Sequence, residues 1–172
     1  MSANVAFVFP GQGSQSVGML AELGAQHSVV IDTFDQASAV LGYDLWQLIQ
    51  HDVDSQINQT HITQPVLLAA SVALWRLWLQ QGGSTPNILA GHSLGEYSAL
   101  VCGGALDFAD ALRLVEARGQ FMQAAVPPGE GAMAAIIGMD DEAVVAVCEA
   151  SAQGQVVAPV NYNSPGQVVI AG

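Results

Sequence analysis

The stretch that most limits how this chain can fold runs from Asn87 to Val101, NILAGHSLGEYSALV. Residues 87–90 form a short β-prone run after Pro86, and the pattern from Leu94 onward is helical. The chain must therefore reverse within Gly91-His92-Ser93-Leu94-Gly95. A serine flanked by glycines two residues away on each side, between a strand and a helix, matches the turn in which a hydroxyl is held out on a strained backbone, since only glycine leaves room at both flanks. Such a serine is a candidate nucleophile toward acyl groups. In a chain with 18 glycines a plain structural turn is the competing reading, and a strand before and a helix after favour the nucleophile.

The alternation of strand and helix extends on both sides of this turn. Residues 5–9 read as a strand ended by Pro10 and Gly11, with a helical pattern from Val17. Helices follow at 31–41, stopped by Gly42, and near 45–50. Pro65 is expected to open an apolar, central helix over 66–81 that Gly82 closes. Asp107 caps a helix over 108–125, with Pro127 and Pro128 ending it. This order predicts an α/β protein with a parallel sheet covered on both faces. After Gly129 the units shrink to strand 132–137, helix 141–152, strand 156–160, turn 161–166 and strand 167–171. That β-α-β-β order is part of a ferredoxin-like unit and stops at a bare sheet edge, so the chain is expected to be truncated there. The expected domains are 1–128 and 129–172.

Charge excludes several functions. The chain is 51% hydrophobic and 10% charged, with a net charge of −12 and cations only at Arg76, Arg113 and Arg118. No basic stripe can form to neutralise a nucleic-acid backbone, and no polybasic cluster can hold the chain on a membrane. No basic residue precedes the first apolar run, so no signal peptide is expected. The strongest apolar stretch, 66–79, contains Arg76 and falls short of the roughly 20 residues of a membrane span. Cys102 and Cys148, without a CxxC or a nearby histidine, read as buried free thiols of a cytoplasmic protein.

Three further features bear on chemistry. Ser93 needs a base, yet His27, His51 and His61 precede it and His92 adjoins it, so no histidine stands in the order that a serine hydrolase uses. Arg118 has Leu114, Val115, Phe121 and Met122 at helical spacing, an apolar stripe on which a guanidinium must meet an anion, either a structural acid or a ligand carboxylate. Arg113, by contrast, has Asp110 and Glu116 and reads as a surface ion-pair residue. Pro10-Gly11-Gln12-Gly13-Ser14-Gln15 lacks the third glycine of a dinucleotide fingerprint, because position 16 is Ser16, and lacks the lysine of a P-loop. It is either a donor loop for a developing oxyanion or a tight turn.

Four segments in register, FVFPGQGSQ, GHSLGEYSALV, EARGQFMQ and NYNSPGQVVIAG, together resemble the malonyl-CoA:acyl carrier protein transacylases of bacterial fatty acid synthesis. The resemblance implies an α/β-hydrolase-like core with an inserted ferredoxin-like subdomain. It implies Ser93 as the acyl-carrying nucleophile and the backbone N–H groups of Gln12 and Leu94 as the oxyanion hole. Arg118 would pair with the malonyl carboxylate, and Met122, His92, Gln12, Asn161 and Asn163 would lie near the substrate. The family's base is a downstream histidine that these residues lack, so the 172-residue chain by itself is expected to be inactive and to need the C-terminal remainder of the enzyme. The implied substrate is a coenzyme A thioester, the partner an acyl carrier protein, and no cofactor or metal is bound. Met1 directly before the first strand favours a free-standing enzyme over an acyltransferase domain of a polyketide synthase. A serine hydrolase and a non-catalytic fragment are the other readings.

Overall fold

A computed structural model of the protein describes residues 5–127 and 129–172. Met1 and Pro128, the expected start before the first strand and the second half of the helix stop, lie outside them, as does the expected domain boundary at 128. The chain divides into two compact units, Met1–Gln123 and Ala124–Gly172.

In the first unit, β1 (Ala6–Phe9) and β2 (Ile88–Gly91) pair in parallel, Ala6 opposite Ile88 through Phe9 opposite Gly91. Between them come α1 (Ala21–Gln26), α2 (Ser28–Leu41), α3 (Leu45–His51) and α4 (Thr60–Gln80). After β2 follow α5 (Leu94–Cys102) and α6 (Phe108–Ala124). The first helix starts later than Val17 because residues 17–20 form turns, with Leu20 in the left-handed region at φ 62°. Asp107 caps α6 as expected, its Oδ1 accepting from the Ala109 and Asp110 amides at 2.8 and 3.1 Å.

The core helix corrects the reading of Pro65. α4 begins at Thr60, and Pro65 lies inside it. The cost is one hydrogen bond to the His61 carbonyl, since proline has no N–H to donate. Thr63 ties the start of the helix down, its hydroxyl donating to the Ile57 and Gln59 carbonyls at 2.6 and 3.0 Å. α4 is long and apolar enough to cross a membrane by length and composition, but 72% of that window is buried inside the protein. Its buried Val66, Leu68 and Val72 pack in one cluster with Phe34 of α2, Leu94 of α5 and Leu112 of α6.

The sheet expected to be covered on both faces is, among the described residues, a two-stranded pair with one face covered. Phe7 turns onto α4, its ring 5.5 Å from Trp75 and 5.3 Å from Trp78. The opposite face carries Val8 and Ile88, 80% and 61% exposed, with no described element over them. An apolar groove of about 630 Å³ beside β1, lined by Val8, Trp75 and Trp78 among others, has neither Ser93 nor Arg118 on its wall.

The second unit holds β3 (Met133–Ile137), α7 (Asp141–Ser151), β4 (Ala158–Ser164) and β5 (Gln167–Ala171) in an antiparallel sheet of order β3-β5-β4. Val144 and Cys148 of α7 close on Val168 of β5. The turn expected over 161–166 shrinks to Pro165-Gly166, with Gly166 at φ 73°. Proline then glycine is enough for a tight turn, which frees Asn161, Tyr162 and Ser164 to pair with β5 across two irregularities in register.

Candidate active site

Ser93 sits between the end of β2 and the first turn of α5 at φ 53°, ψ −108°. That conformation costs a non-glycine residue roughly 1–3 kcal/mol and persists only where its surroundings enforce it. Here the surroundings are backbone. A Cβ on Gly91 would stand 1.9 Å from the Gly95 carbonyl carbon, and one on Gly95 would stand 2.1 Å from the Phe9 carbonyl oxygen. Both glycines are therefore required by close approach. The Gly95 amide donates to the His92 carbonyl at 2.9 Å, which tightens the turn.

The N-terminal glycine loop runs against this turn. A Cβ on Gly11 would meet the His92 carbonyl oxygen at 3.1 Å, His92 Nδ1 at 3.4 Å and the Ser93 Cβ at 3.9 Å. Gly13, at φ 108°, donates its amide to the Gln15 side chain, and Ser14 Oγ donates to the Gly11 carbonyl. Gln15 and Gln12 in turn donate to Asn58 and Thr60, which pins the loop to the start of α4. The amides of Gln12 and of Leu94, the first residue of α5, have no acceptor among the described residues. A helix N-terminus with such free donors favours negative charge.

Arg118 reaches Ser93 from α6. Its Nη2 donates to Ser93 Oγ at 3.1 Å, its Nη1 to Gln64 Oε1 at 2.6 Å, and its guanidinium carbon stands 5.7 Å from the centre of the Tyr97 ring. The apolar stripe read around it is only partly a core stripe: Val115 is buried, whereas Leu114, Met122 and Phe121 are 46%, 50% and 76% exposed. Among the described residues no acid bonds Arg118. Arg113 pairs with Asp110 at 3.0 Å on the surface. Arg76 donates to Thr33 and Gln36 and stacks over Phe108.

The structure thus brings Ser93, His92, Leu94, the Gln12 loop and Arg118 together, with Met122 joined through Gln64 Nε2 at 3.4 Å. Asn161 and Asn163 are exposed on β4 of the second unit. Among the described residues no histidine hydrogen-bonds Ser93, and His61 instead meets Gln123 at 2.9 Å. No group of three His, Cys, Asp or Glu among them is arranged to hold a metal. Gln64 and Tyr97 were not singled out by sequence. For Gln64 a signal existed, a lone amide entering an apolar run, but reading Pro65 as the helix start placed it outside the helix.

Residues 6–172 match the model of the acyl transferase domain family. The malonyl CoA-acyl carrier protein transacylase of Salmonella typhimurium is 67% identical over 167 residues, which cover 97% of this chain and 54% of that protein. A solved malonyl-transacylase in complex with its type II PKS acyl-carrier protein superposes with a TM-score of 0.94 at 60% identity, covering 99% of this chain and 55% of that one. The malonyl CoA-acyl carrier protein transacylase from Coxiella burnetii also gives 0.94, at 58% identity and with 98% and 54% covered. The chain spans about half the length of the relatives it matches. Since the family model takes in both units and the serine turn that joins β2 to α5, the chain belongs to the acyl transferase domain family.

Proposed function

We propose that this chain provides the nucleophile and the carboxylate-binding arginine of a cytoplasmic malonyl-CoA:acyl carrier protein transacylase. The observation that carries this reading is the Arg118–Ser93 contact: a guanidinium bonded to the elbow hydroxyl and to a neutral amide, with no acid of its own among the described residues.

Ser93 Oγ attacks the thioester carbonyl of malonyl-CoA, and the oxyanion forms against the Gln12 and Leu94 amides. The tetrahedral species collapses with loss of the coenzyme A thiolate, which takes up a proton, and leaves malonyl-serine. The phosphopantetheine thiol of the carrier repeats the sequence in reverse and releases Ser93. Arg118 holds the malonyl carboxylate in a bidentate pair, a contact that an acetyl group lacks. The proton acceptor for Ser93 is a histidine supplied outside these residues, as the resemblance implies, and the same resemblance assigns substrate contacts to His92, Met122, Asn161 and Asn163. No resident cofactor or metal takes part. A hydrolase would have no use for Arg118 beside its nucleophile.

At the level of fold, we read the parallel pair and its serine turn as part of an α/β-hydrolase-like core, with domains 1–128 and 129–172. The order β3-β5-β4 around α7 supports a ferredoxin-like second domain.

The test is covalent labelling. A protein of full family length carrying this sequence, mixed with radiolabelled malonyl-CoA and no carrier, should retain label on the peptide that contains Ser93. Ser93→Ala should abolish it, and undiminished label in that variant overturns the assignment.

A further inference from the structure

Gln64 lies near the start of α4 and is fully buried, at 0% exposure. A buried amide must find partners for both of its ends. Its oxygen accepts from Arg118 Nη1 at 2.6 Å, and its nitrogen donates to Met122 Sδ at 3.4 Å. The orientation of the amide is fixed by chemistry, because a guanidinium has only donors and must face the oxygen. One side chain of α4 thereby holds two residues one turn apart on α6. Gly119 allows the helices this close, since a Cβ there would come within 2.4 Å of the His61 Cα and 2.8 Å of the Thr60 carbonyl oxygen.

The acceptor is uncharged, and that choice has a consequence. A carboxylate at the same place would orient the guanidinium equally well and would also neutralise it. An amide orients it and leaves its positive charge intact. Among the described residues, only two of the five N–H donors of the Arg118 guanidinium are engaged, by Gln64 and Ser93.

Resting on the function proposed above, we infer that Gln64 is a specificity-determining positioning residue: it aims Arg118 toward the acyl chain while reserving its charge for the substrate carboxylate. It acts through Arg118, being too buried to meet substrate itself.

The test compares kcat/KM for malonyl-CoA and acetyl-CoA in a protein of full family length carrying this sequence. Gln64→Glu restores an acceptor but adds a competing negative charge, and should lower the malonyl-to-acetyl ratio about 100-fold. Gln64→Met removes the acceptor without adding charge and should lower it about tenfold. A merely structural role predicts the opposite order, with Gln64→Glu matching or exceeding the parent because it pairs with Arg118, and that result overturns the inference. An equal fall for both substrates overturns it too. Should Gln64→Glu fail to fold, Gln64→Met decides, an unchanged ratio counting against the inference. Arg118→Ala is the control: an unchanged ratio there rejects the role of Arg118 itself, whereas a changed ratio there with an unchanged one in Gln64→Glu rejects the role of Gln64 alone.

Discussion

On the function proposed above, removing the Arg118 side chain should separate substrate selection from structural support, because its partners among the described residues are neutral. Had the guanidinium been paired with a buried acid, Arg118→Ala would strand a charge and cost about 3–5 kcal/mol. Its partners are instead an amide oxygen and a hydroxyl. The substitution leaves one buried carbonyl, that of Gln64, without a donor, at about 1–3 kcal/mol. Loss of the contact over the Tyr97 ring adds about 0.5–1 kcal/mol. Together these come to about 1.5–4 kcal/mol, which in a protein of full family length lowers the melting temperature by about 2–8 °C. The effect on selection is larger. Taking away one partner of a desolvated charge pair costs about 2–5 kcal/mol, so the malonyl-to-acetyl ratio of kcat/KM should fall roughly 30-fold to several thousand-fold. Steady-state transfer of both acyl groups to a carrier, in a protein of full family length carrying this sequence, gives the ratio, and a thermal melt gives the stability. A lowered melting temperature with an unchanged ratio would refute the reasoning.

Two other substitutions test the backbone and the thiols. Gly95→Ala should destabilise the fold by about 3 kcal/mol or more, since its Cβ would stand 2.1 Å from the Phe9 carbonyl oxygen; Gly104→Ala, at φ 74° with open space around it, should cost about 1–2 kcal/mol, and equal losses in a denaturant titration would contradict the close-approach argument. Burial pushes the Cys102 thiol up to about 12, partly opposed by Arg76, so the folded state keeps a proton that the unfolded chain gives up near pH 8.5. The stability from this group is present below that pH and is lost as pH rises toward 12. Thermal melts should therefore decline from pH 9 to 11, less steeply in Cys102→Ala, and identical slopes would exclude the thiol as the cause.

Glycine and proline carried most of what could be read in the sequence, and they also misled where their context was tertiary. The turn around Ser93 was legible because its two glycines answer a local steric demand that the strand and helix impose. The cap at Asp107 was legible for the same local reason. Pro65 was read as a helix start, but the helix begins five residues earlier, because Thr63 and the Gln59 carbonyl close its first turn at little cost. That shift hid Gln64, whose importance lies in a partner 54 positions away that no local pattern displays. The stripe around Arg118 pointed to a residue that the structure sets against Ser93, but it described the surroundings incompletely. Its neighbours are apolar, yet three of the four are exposed, so the arginine is held by an amide and a hydroxyl rather than forced onto an acid by a surrounding core.

The pairing of β1 with β2 joins segments some 80 residues apart, with four helices formed between them. Closing so long a loop is slow compared with docking neighbouring helices, which need only local contacts. The helices α2 and α4 can therefore pack before the parallel pair exists. The strained conformation of Ser93, which depends on the Phe9 carbonyl lying under Gly95, has no support until that pairing closes. During synthesis the serine emerges as an ordinary flexible residue, and its strained backbone conformation arrives with one of the last long-range contacts of the first unit.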